Sequence, residues 1–330
     1  MGTKVRFGVI GCGRMGLRRA SIITNHQNSE LVGVADTSED LAIKASKDYK
    51  CAYFADYKDL VNHPDIDCIV ICTPNSLHLP MTSAAAANKK HIFCEKPLAR
   101  NPKEAIAMVK ASNKNNVFLK VGSNLRFFPN VIKAKEIYDS GIIGDAIFFR
   151  GWIGVAGTHL DKTWFSDPEQ SGGGVFLDMG CHLFDLSRLF LGEVEECTGY
   201  TDTLHWPVKP IEDIGMGIFK FNGGKLASIQ ATWMEWADYT YIEIYGKDGY
   251  IRIDCRMPNN STTVGTRDGH KEVFDYTLEK SISYETEFNS FISAILNQTQ
   301  PQPSGYDGQR SVQMAHALYK SSKLGKSVKI

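Results

Sequence analysis

Three side chains have the types and spacing for acid–base chemistry at a carbon–oxygen bond. They are the lysine of Glu95-Lys96-Pro97, and Asp178 and His182, four residues apart. Oxidising a secondary alcohol needs a hydride acceptor and a base that takes the hydroxyl proton as the hydride leaves. Histidine titrates near neutrality, so His182 suits the base, a role typically contributing about 10²–10⁴-fold. Asp178 shares a helical face with it if helix begins at Asp178, and would orient the imidazole or bind a neighbouring substrate hydroxyl. Lys96 would polarise the reacting oxygen, lower its pKa and relay the proton. The preceding run Gly172-Gly173-Gly174 predicts backbone folded close to cofactor or substrate. Taken singly, Lys96 also reads as a strand-end surface lysine and His182 as a buried, hydrogen-bonded histidine.

The hydride acceptor has its own signature. Gly11-Cys12-Gly13-Arg14-Met15-Gly16 follows an apolar strand and opens a helix, the context a dinucleotide fingerprint requires. Gly11 permits the tight turn, Gly13 the approach of a pyrophosphate, and Gly16 the packing of helix on strand, with helix amides facing the phosphates. Asp36, at the tip of the second strand, suits the adenosine ribose hydroxyls. A 2′-phosphate about 4 Å from that carboxylate would cost roughly 4 kcal/mol per charge pair at an effective dielectric of about 20. Thr37-Ser38-Glu39-Asp40 offers no basic residue to compensate, so NAD is favoured over NADP. Thr73-Pro74-Asn75 should line the crevice near the second ribose. His78 reads equally as the first residue of a helix or as a cofactor contact.

These residues need a scaffold, and residues 4–123 provide one. Val5–Ile10, Leu31–Ala35, Cys68–Cys72, His91–Cys94 and Val117–Val121 read as strands. Helical patterns lie at 14–26, 39–49, 79–89 and 103–115, the last capped by Asn101-Pro102. Continuous apolar strands between helices predict a parallel sheet covered on both faces, with ligands at the strand C-termini. Beyond 123 the rhythm changes. After a helix at 130–139 and a strand at 146–150, the segments 215–221, 225–234, 239–245 and 249–255 alternate apolar and polar residues. Asn222-Gly223 and Asp248-Gly249 are hairpin signals. Helices return at 285–297 and 307–322. This half predicts a mostly antiparallel open sheet with helices on one face, an α+β domain spanning 124–330. Its outer face, carrying Trp233, Trp236 and Tyr241, predicts a homo-oligomer, dimer or tetramer. The Glu212-Asp213 pair is read as a strand entrance without a catalytic role.

Composition narrows the classes. The 330 residues suffice for two cores, and 37 basic against 37 acidic residues leave no broad field for nucleic acid or anionic lipid. No apolar run reaches membrane-spanning length, and the start runs almost at once into a strand, leaving no room for a signal peptide. Gly2 invites a myristoylation reading that Arg6 defeats. The eight cysteines form no C-x-x-C pair; Cys68, Cys72 and Cys94 sit in apolar strands. They read as reduced core residues of a cytoplasmic protein, with no metal site.

Several motifs in order resemble the glucose–fructose oxidoreductase/inositol dehydrogenase/rhizopine catabolism (Gfo/Idh/MocA) family over essentially the whole chain. They are Gly11–Gly16, Asp67–His78, Glu95-Lys96-Pro97, Gly122–Phe127, Ser171–Gly174, Asp178–His182 and Asp185. The resemblance implies a Rossmann domain (1–123) and an α/β substrate-binding domain (124–330), often with oligomers made through its open sheet. It also implies NAD(P)-dependent oxidation or reduction of a sugar, sugar derivative, inositol or related polyol. In the family the matching lysine and histidine have the roles argued above, and the peptide before Pro97 is expected to be cis. Glu95 and Lys96 join Gly11, Cys12, Gly13, Arg14, Met15, Gly16, Asp36, Thr73, Pro74, Asn75 and His78 as cofactor-binding candidates. Lys96, Arg126, Trp164, Asp178 and His182 are the substrate candidates. Arg126 reads as a contact to substrate or nicotinamide carboxamide, or as a domain-interface salt bridge. Trp164 reads as a sugar-stacking ring or a core residue, and Asp185 as a substrate contact or a helix-surface charge. Two other functions stay open: an NAD-dependent glycoside hydrolase or lyase that oxidises C3 transiently, and a non-catalytic nucleotide sensor.

Overall fold

Apolar strands buried on both faces need helices above and below, and the first part of the chain supplies them in the computed structural model, which describes residues 4–158, 160, 163–256, 260–277 and 280–330. Met1-Gly2-Thr3, on which the reading of the chain's start depends, and three residues of the 150–170 loop lie outside the described residues. The first elements are β1 (Val5–Ile10), α1 (Arg14–Asn25), β2 (Ser29–Ala35), α2 (Glu39–Tyr49), β3 (Ala52–Phe54) and α3 (Tyr57–Asn62). Then come β4 (Cys68–Ile71), α4 (His78–Ala87), β5 (His91–Glu95), α5 (Pro102–Asn115) and β6 (Leu119–Gly122). The six strands run parallel in the order β3-β2-β1-β4-β5-β6. Chain order reverses between β1 and β4, so the loops after those strands diverge and leave a crevice at their C-terminal ends. Every residue of β4 is buried, as strand cover on both faces demands. Asn101 caps α5 through a 3.0 Å bond accepted from the Glu104 amide, with Pro102 at the first helical position.

The second part contains α6 (Pro129–Asp139), β7 (Ala146–Ala156), the short helices α7 (Pro168–Ser171) and α8 (Val175–Asp178), and α9 (Gly180–Leu191). It continues through β8 (Val194–Asp202), β9 (Ile214–Phe221), β10 (Leu226–Thr232), β11 (Met234–Gly246), β12 (Gly249–Asp254), β13 (Ser261–Thr266) and β14 (Lys271–Asp275). The chain closes with α10 (Lys280–Leu296), α11 (Gly305–Leu324) and β15 (Val328–Lys329). The nine strands are ordered β14-β13-β12-β11-β7-β10-β9-β8-β15. Among the described residues only β7 and β10 pair in parallel in this sheet, and the other ladders are antiparallel. In β9, Gly215, Gly217, Phe219 and Phe221 are buried while Met216, Ile218 and Lys220 are exposed, the alternation of a sheet covered on one face. Asn222-Gly223 links β9 to β10 with Gly223 at φ 80, and Asp248-Gly249 joins β11 to β12, both as the hairpin signals predict. α9 packs against β7 and β10 and buries nearly its whole surface.

Two expectations change. The chain forms two compact units, and residues Tyr284–Gln309 belong with the first, alongside the residues up to Ser123. The reason is aromatic packing: Phe288 and Phe291, both fully buried, meet Phe7 and Phe93 with ring centroids 5.0–6.4 Å apart. The other unit holds Asn124–Ser283 and Arg310–Ile330. Trp233 is not on the outer face. It is fully buried between β10 and β11, its amide donating to the Asp213 carbonyl and its carbonyl accepting the Trp206 indole N–H, each at 2.8 Å. All eight cysteines are free, with Cys68 and Cys94 completely buried. No helix among the described residues is long and apolar enough to cross a membrane.

Candidate functional site

The glycine turn between β1 and α1 is forced by close approach. Gly11 has φ 94, and a Cβ there would lie 2.6 Å from the Cys72 carbonyl oxygen. At Gly16 a Cβ would lie 1.7 Å from the Gly11 carbonyl oxygen, so only glycine lets α1 rest on the turn. Gly13 differs: nothing stands within 4 Å of an added Cβ, and as N-cap of α1 it contributes no side-chain hydrogen bond. No side chain caps the first amides of α1, and a helix N-terminus of this kind suits an anionic pyrophosphate. Asp36 fixes the far end of this cradle: its Oδ2 accepts from the Cys12 amide at 2.6 Å and its Oδ1 from the Ser38 amide at 2.8 Å. Cys12 is buried and its thiol is pushed up to about 12 by burial and by Asp36, so its polar offering is backbone. Arg14 is exposed and Met15 half-buried. These residues fit a dinucleotide.

Behind the crevice, His78 is a brace. Its ring is completely buried, with Nε2 3.1 Å from the Thr73 carbonyl and Nδ1 3.1 and 3.2 Å from those of Pro97 and Leu98. Burial pushes its pKa down, against the pull of those carbonyls. The imidazole thus ties the loop after β4 to the loop after β5, which carries Lys96. The Lys96–Pro97 peptide is cis, as expected. Lys96 is half-buried, Thr73 and Pro74 likewise, while Asn75 is buried.

Glu95 is anchored from a direction that sequence spacing did not show. Its Oε1 accepts from Arg19 Nε at 2.8 Å, and Arg19 Nη2 reaches Glu287 Oε2 at 2.8 Å. Lys120 stands 3.7 Å from the other Glu287 oxygen, and the Arg19 guanidinium lies over the Phe93 ring at 4.4 Å. Burial alone would lower the Arg19 pKa, but Glu95 and Glu287 raise it; burial raises Glu287 against Arg19 and Lys120.

In the other unit, Asp178 and His182 do not share one uninterrupted helix. Asp178 ends α8, Met179 intervenes, and His182 is the third residue of α9. The Asp178 carbonyl accepts the Cys181 thiol at 3.1 Å, and the His182 amide turns back to Met179 at 3.2 Å. Backbone at Met179 stays near helical (φ −99, ψ −40), so the spacing along the chain survives the break. His182 is 8% exposed and Asp178 half-buried.

The glycine run lets the backbone pack closely against Glu212 and Tyr319. Gly172 (φ 83) ends α7, whereas Cβ atoms on Gly173 and Gly174 would strike Tyr319 Oη at 2.6 Å and the Glu212 carbonyl oxygen at 1.9 Å. Glu212 is buried, its carboxyl pushed up to about 7 by that burial despite hydrogen bonds from Tyr319, Phe176 and Gly174. Asp213, also buried, collects the amides of Leu204, His205 and Trp206 at 2.8–2.9 Å. Arg126 and Asp185 pair with each other through two bonds of 2.6 and 2.5 Å. Asp185 is 2% exposed, so it is no helix-surface charge. Trp164 stacks on Phe165 with centroids 4.1 Å apart and is half-buried.

Residues 5–123 match the Gfo/Idh/MocA model described as an oxidoreductase family with an NAD-binding Rossmann fold, and residues 131–252 match that family's C-terminal domain. The chain belongs to the Gfo/Idh/MocA family. Myo-inositol 2-dehydrogenase of Thermotoga maritima is 30% identical, covering 99% of this chain and 98% of its own. Inositol 2-dehydrogenase of Rhizobium meliloti is 31% identical, with 96% of each covered. A solved structure of levoglucosan dehydrogenase with NADH and levoglucosan has a TM-score of 0.91 at 25% identity over 99% of both chains. The fold and family implied by the motifs are therefore those found, and the protein is of an NAD-binding oxidoreductase family whose members include inositol and sugar dehydrogenases.

Proposed function

We propose that this protein is an NAD-dependent dehydrogenase that oxidises, or in reverse reduces, one carbon of a sugar, sugar derivative or inositol. The observation that carries the reading is the presence of Lys96 on the braced loop after β5 and of the Asp178–His182 step at the head of α9, within this family. The first amides of α1 and the carboxylate of Asp36 would hold the dinucleotide, and bound NAD would supply the hydride acceptor. His182 takes the hydroxyl proton and Asp178 orients its ring or a neighbouring hydroxyl. Lys96 donates a hydrogen bond to the reacting oxygen and favours its alkoxide, so the charge on that ammonium lowers the barrier to deprotonation.

The test is steady-state kinetics on a substrate found by screening polyols, aldoses, sugar phosphates and nucleotide sugars for NADH formation. Lys96→Met keeps the aliphatic stem and removes the charge; His182→Ala removes the base. Each should lower kcat by about 10²-fold or more, with NAD affinity much less affected. The double variant should lose less than the product of the single losses, because both groups serve one proton transfer. A His182→Ala enzyme with near-normal kcat would take the base role from His182.

A further inference from the structure

Four consecutive amides at the start of α8 are held by residues distant in sequence. The Gly174 amide donates to Glu212 Oε2 and the Phe176 amide to Glu212 Oε1, both at 2.9 Å. The Val175 amide donates to the Glu212 carbonyl at 3.1 Å. The Leu177 amide donates to Tyr319 Oη at 3.1 Å, and that hydroxyl donates to Glu212 Oε1 at 2.8 Å. No residue of α8 caps the helix with its own side chain. A single turn is not self-sustaining in water, because fixing its dihedrals costs more than its hydrogen bonds return. Its shape must come from outside, and Gly173 and Gly174 are where a side chain would displace Tyr319 and Glu212.

We propose that Glu212 and Tyr319 are positioning residues for the Asp178–His182 step, clamping the backbone of α8 so that Asp178 and the head of α9 hold one orientation. Neither touches the reacting atoms. They act through the peptide planes of 174–177, one turn ahead of Asp178, and the inference rests on the roles given above to Asp178 and His182. A displacement of about 1 Å in such a group is enough to cost on the order of 10²-fold in rate. The sequence signal was the adjacency of two acids, Glu212 and Asp213. Each gathers amides from a different segment, Glu212 those of Gly174 and Phe176 and Asp213 those of 204–206.

Tyr319→Phe removes one hydroxyl and keeps the ring, so it is the variant least disruptive to folding; Glu212→Gln and Glu212→Ala form the graded partner series. Amide hydrogen exchange of 174–177 is measured alongside kcat and NAD affinity, at a temperature where circular dichroism shows each variant fully folded. Tyr319→Phe should exchange the Leu177 amide about tenfold faster and lower kcat about tenfold, with NAD affinity unchanged within about twofold. Glu212→Gln keeps one acceptor oxygen and should lose less than Glu212→Ala. A purely structural role would lower thermal stability and leave kcat of the folded enzyme alone, and that result overturns the proposal. Unchanged exchange at Leu177 overturns the clamp itself. A wild type that turns over no compound of the panel sinks the dehydrogenase reading instead, while the exchange measurement still decides the clamp.

Discussion

Asp36 governs the choice of dinucleotide through a charge fixed in place. Its two oxygens already accept the Cys12 and Ser38 amides, so the carboxylate cannot swing aside to admit a phosphate without giving up charge-assisted bonds. The following residues, Thr37 to Asp40, bring a further two acids and no base. NAD should therefore exceed NADP in kcat/KM by about 10²-fold, roughly 2.7 kcal/mol. Titrating both cofactors against one substrate checks it, and equal efficiencies would remove Asp36 from the argument. Other candidate residues are likewise engaged by partners. His78 is committed to three carbonyls, and Arg126 to Asp185, so each acts first by shaping its surroundings.

At the scale of elements, α10 shows what a buried charge does for a site it does not enter. Glu287 sits with Phe288 and Phe291 on the buried side of α10, fully enclosed, and reaches Arg19 of α1 at 2.8 Å. Arg19 in turn holds Glu95, the residue before Lys96. Glu287→Ala would leave Arg19, also fully enclosed, with one carboxylate instead of two. Breaking a buried pair from one side typically costs about 3–5 kcal/mol. Urea unfolding should show a loss in that range, and a change below about 1 kcal/mol would mean that Glu95 alone satisfies Arg19. The pairing was not legible in the sequence, because Arg19, Glu95 and Glu287 are separated by up to 268 residues and no local pattern links them. What was legible had local causes. The strands of the first sheet announced themselves as apolar runs, the glycine turn by its spacing, and the hairpins by Asn-Gly and Asp-Gly. β3, at three residues, is too short to carry a pattern, and β13, Ser261–Thr266, is buried at four consecutive positions, Thr262 to Gly265, so it shows no alternation. Glu212 and Tyr319 were missed for a different reason: their partners are backbone amides, which leave no trace in residue identity.

The molecule as a whole carries one feature that calls for a partner, the open face of its nine-stranded sheet. Strand register lines up Tyr200, Met216, Gln230, Trp152 and Tyr241 in one row across β8, β9, β10, β7 and β11. The next row runs Ile218, Ser228, Arg150, Glu243 and Arg252, with Arg150 and Arg252 both on Glu243 at 2.9 and 3.2 Å. Beyond it lie Leu226, Phe148, Tyr245 and Tyr250. Tyr200 is 76% exposed, Met216 50% and Ile218 46%. Large apolar side chains in contiguous rows, interleaved with arginines and tyrosines, have the composition of an interface core rather than of a solvated surface. A two-fold axis through such a face would set row against row and bury the same patch on both copies. We therefore expect a homodimer, or a tetramer built from it, and light scattering at micromolar concentration should report at least twice the 36.7 kDa chain mass. Trp152→Glu, placed in the middle of the first row, would bury an unpaired charge in that contact and should shift the assembly toward monomer. A wild-type monomer at that concentration would contradict the assignment. A Trp152→Glu protein with unchanged mass would move the contact elsewhere on the molecule.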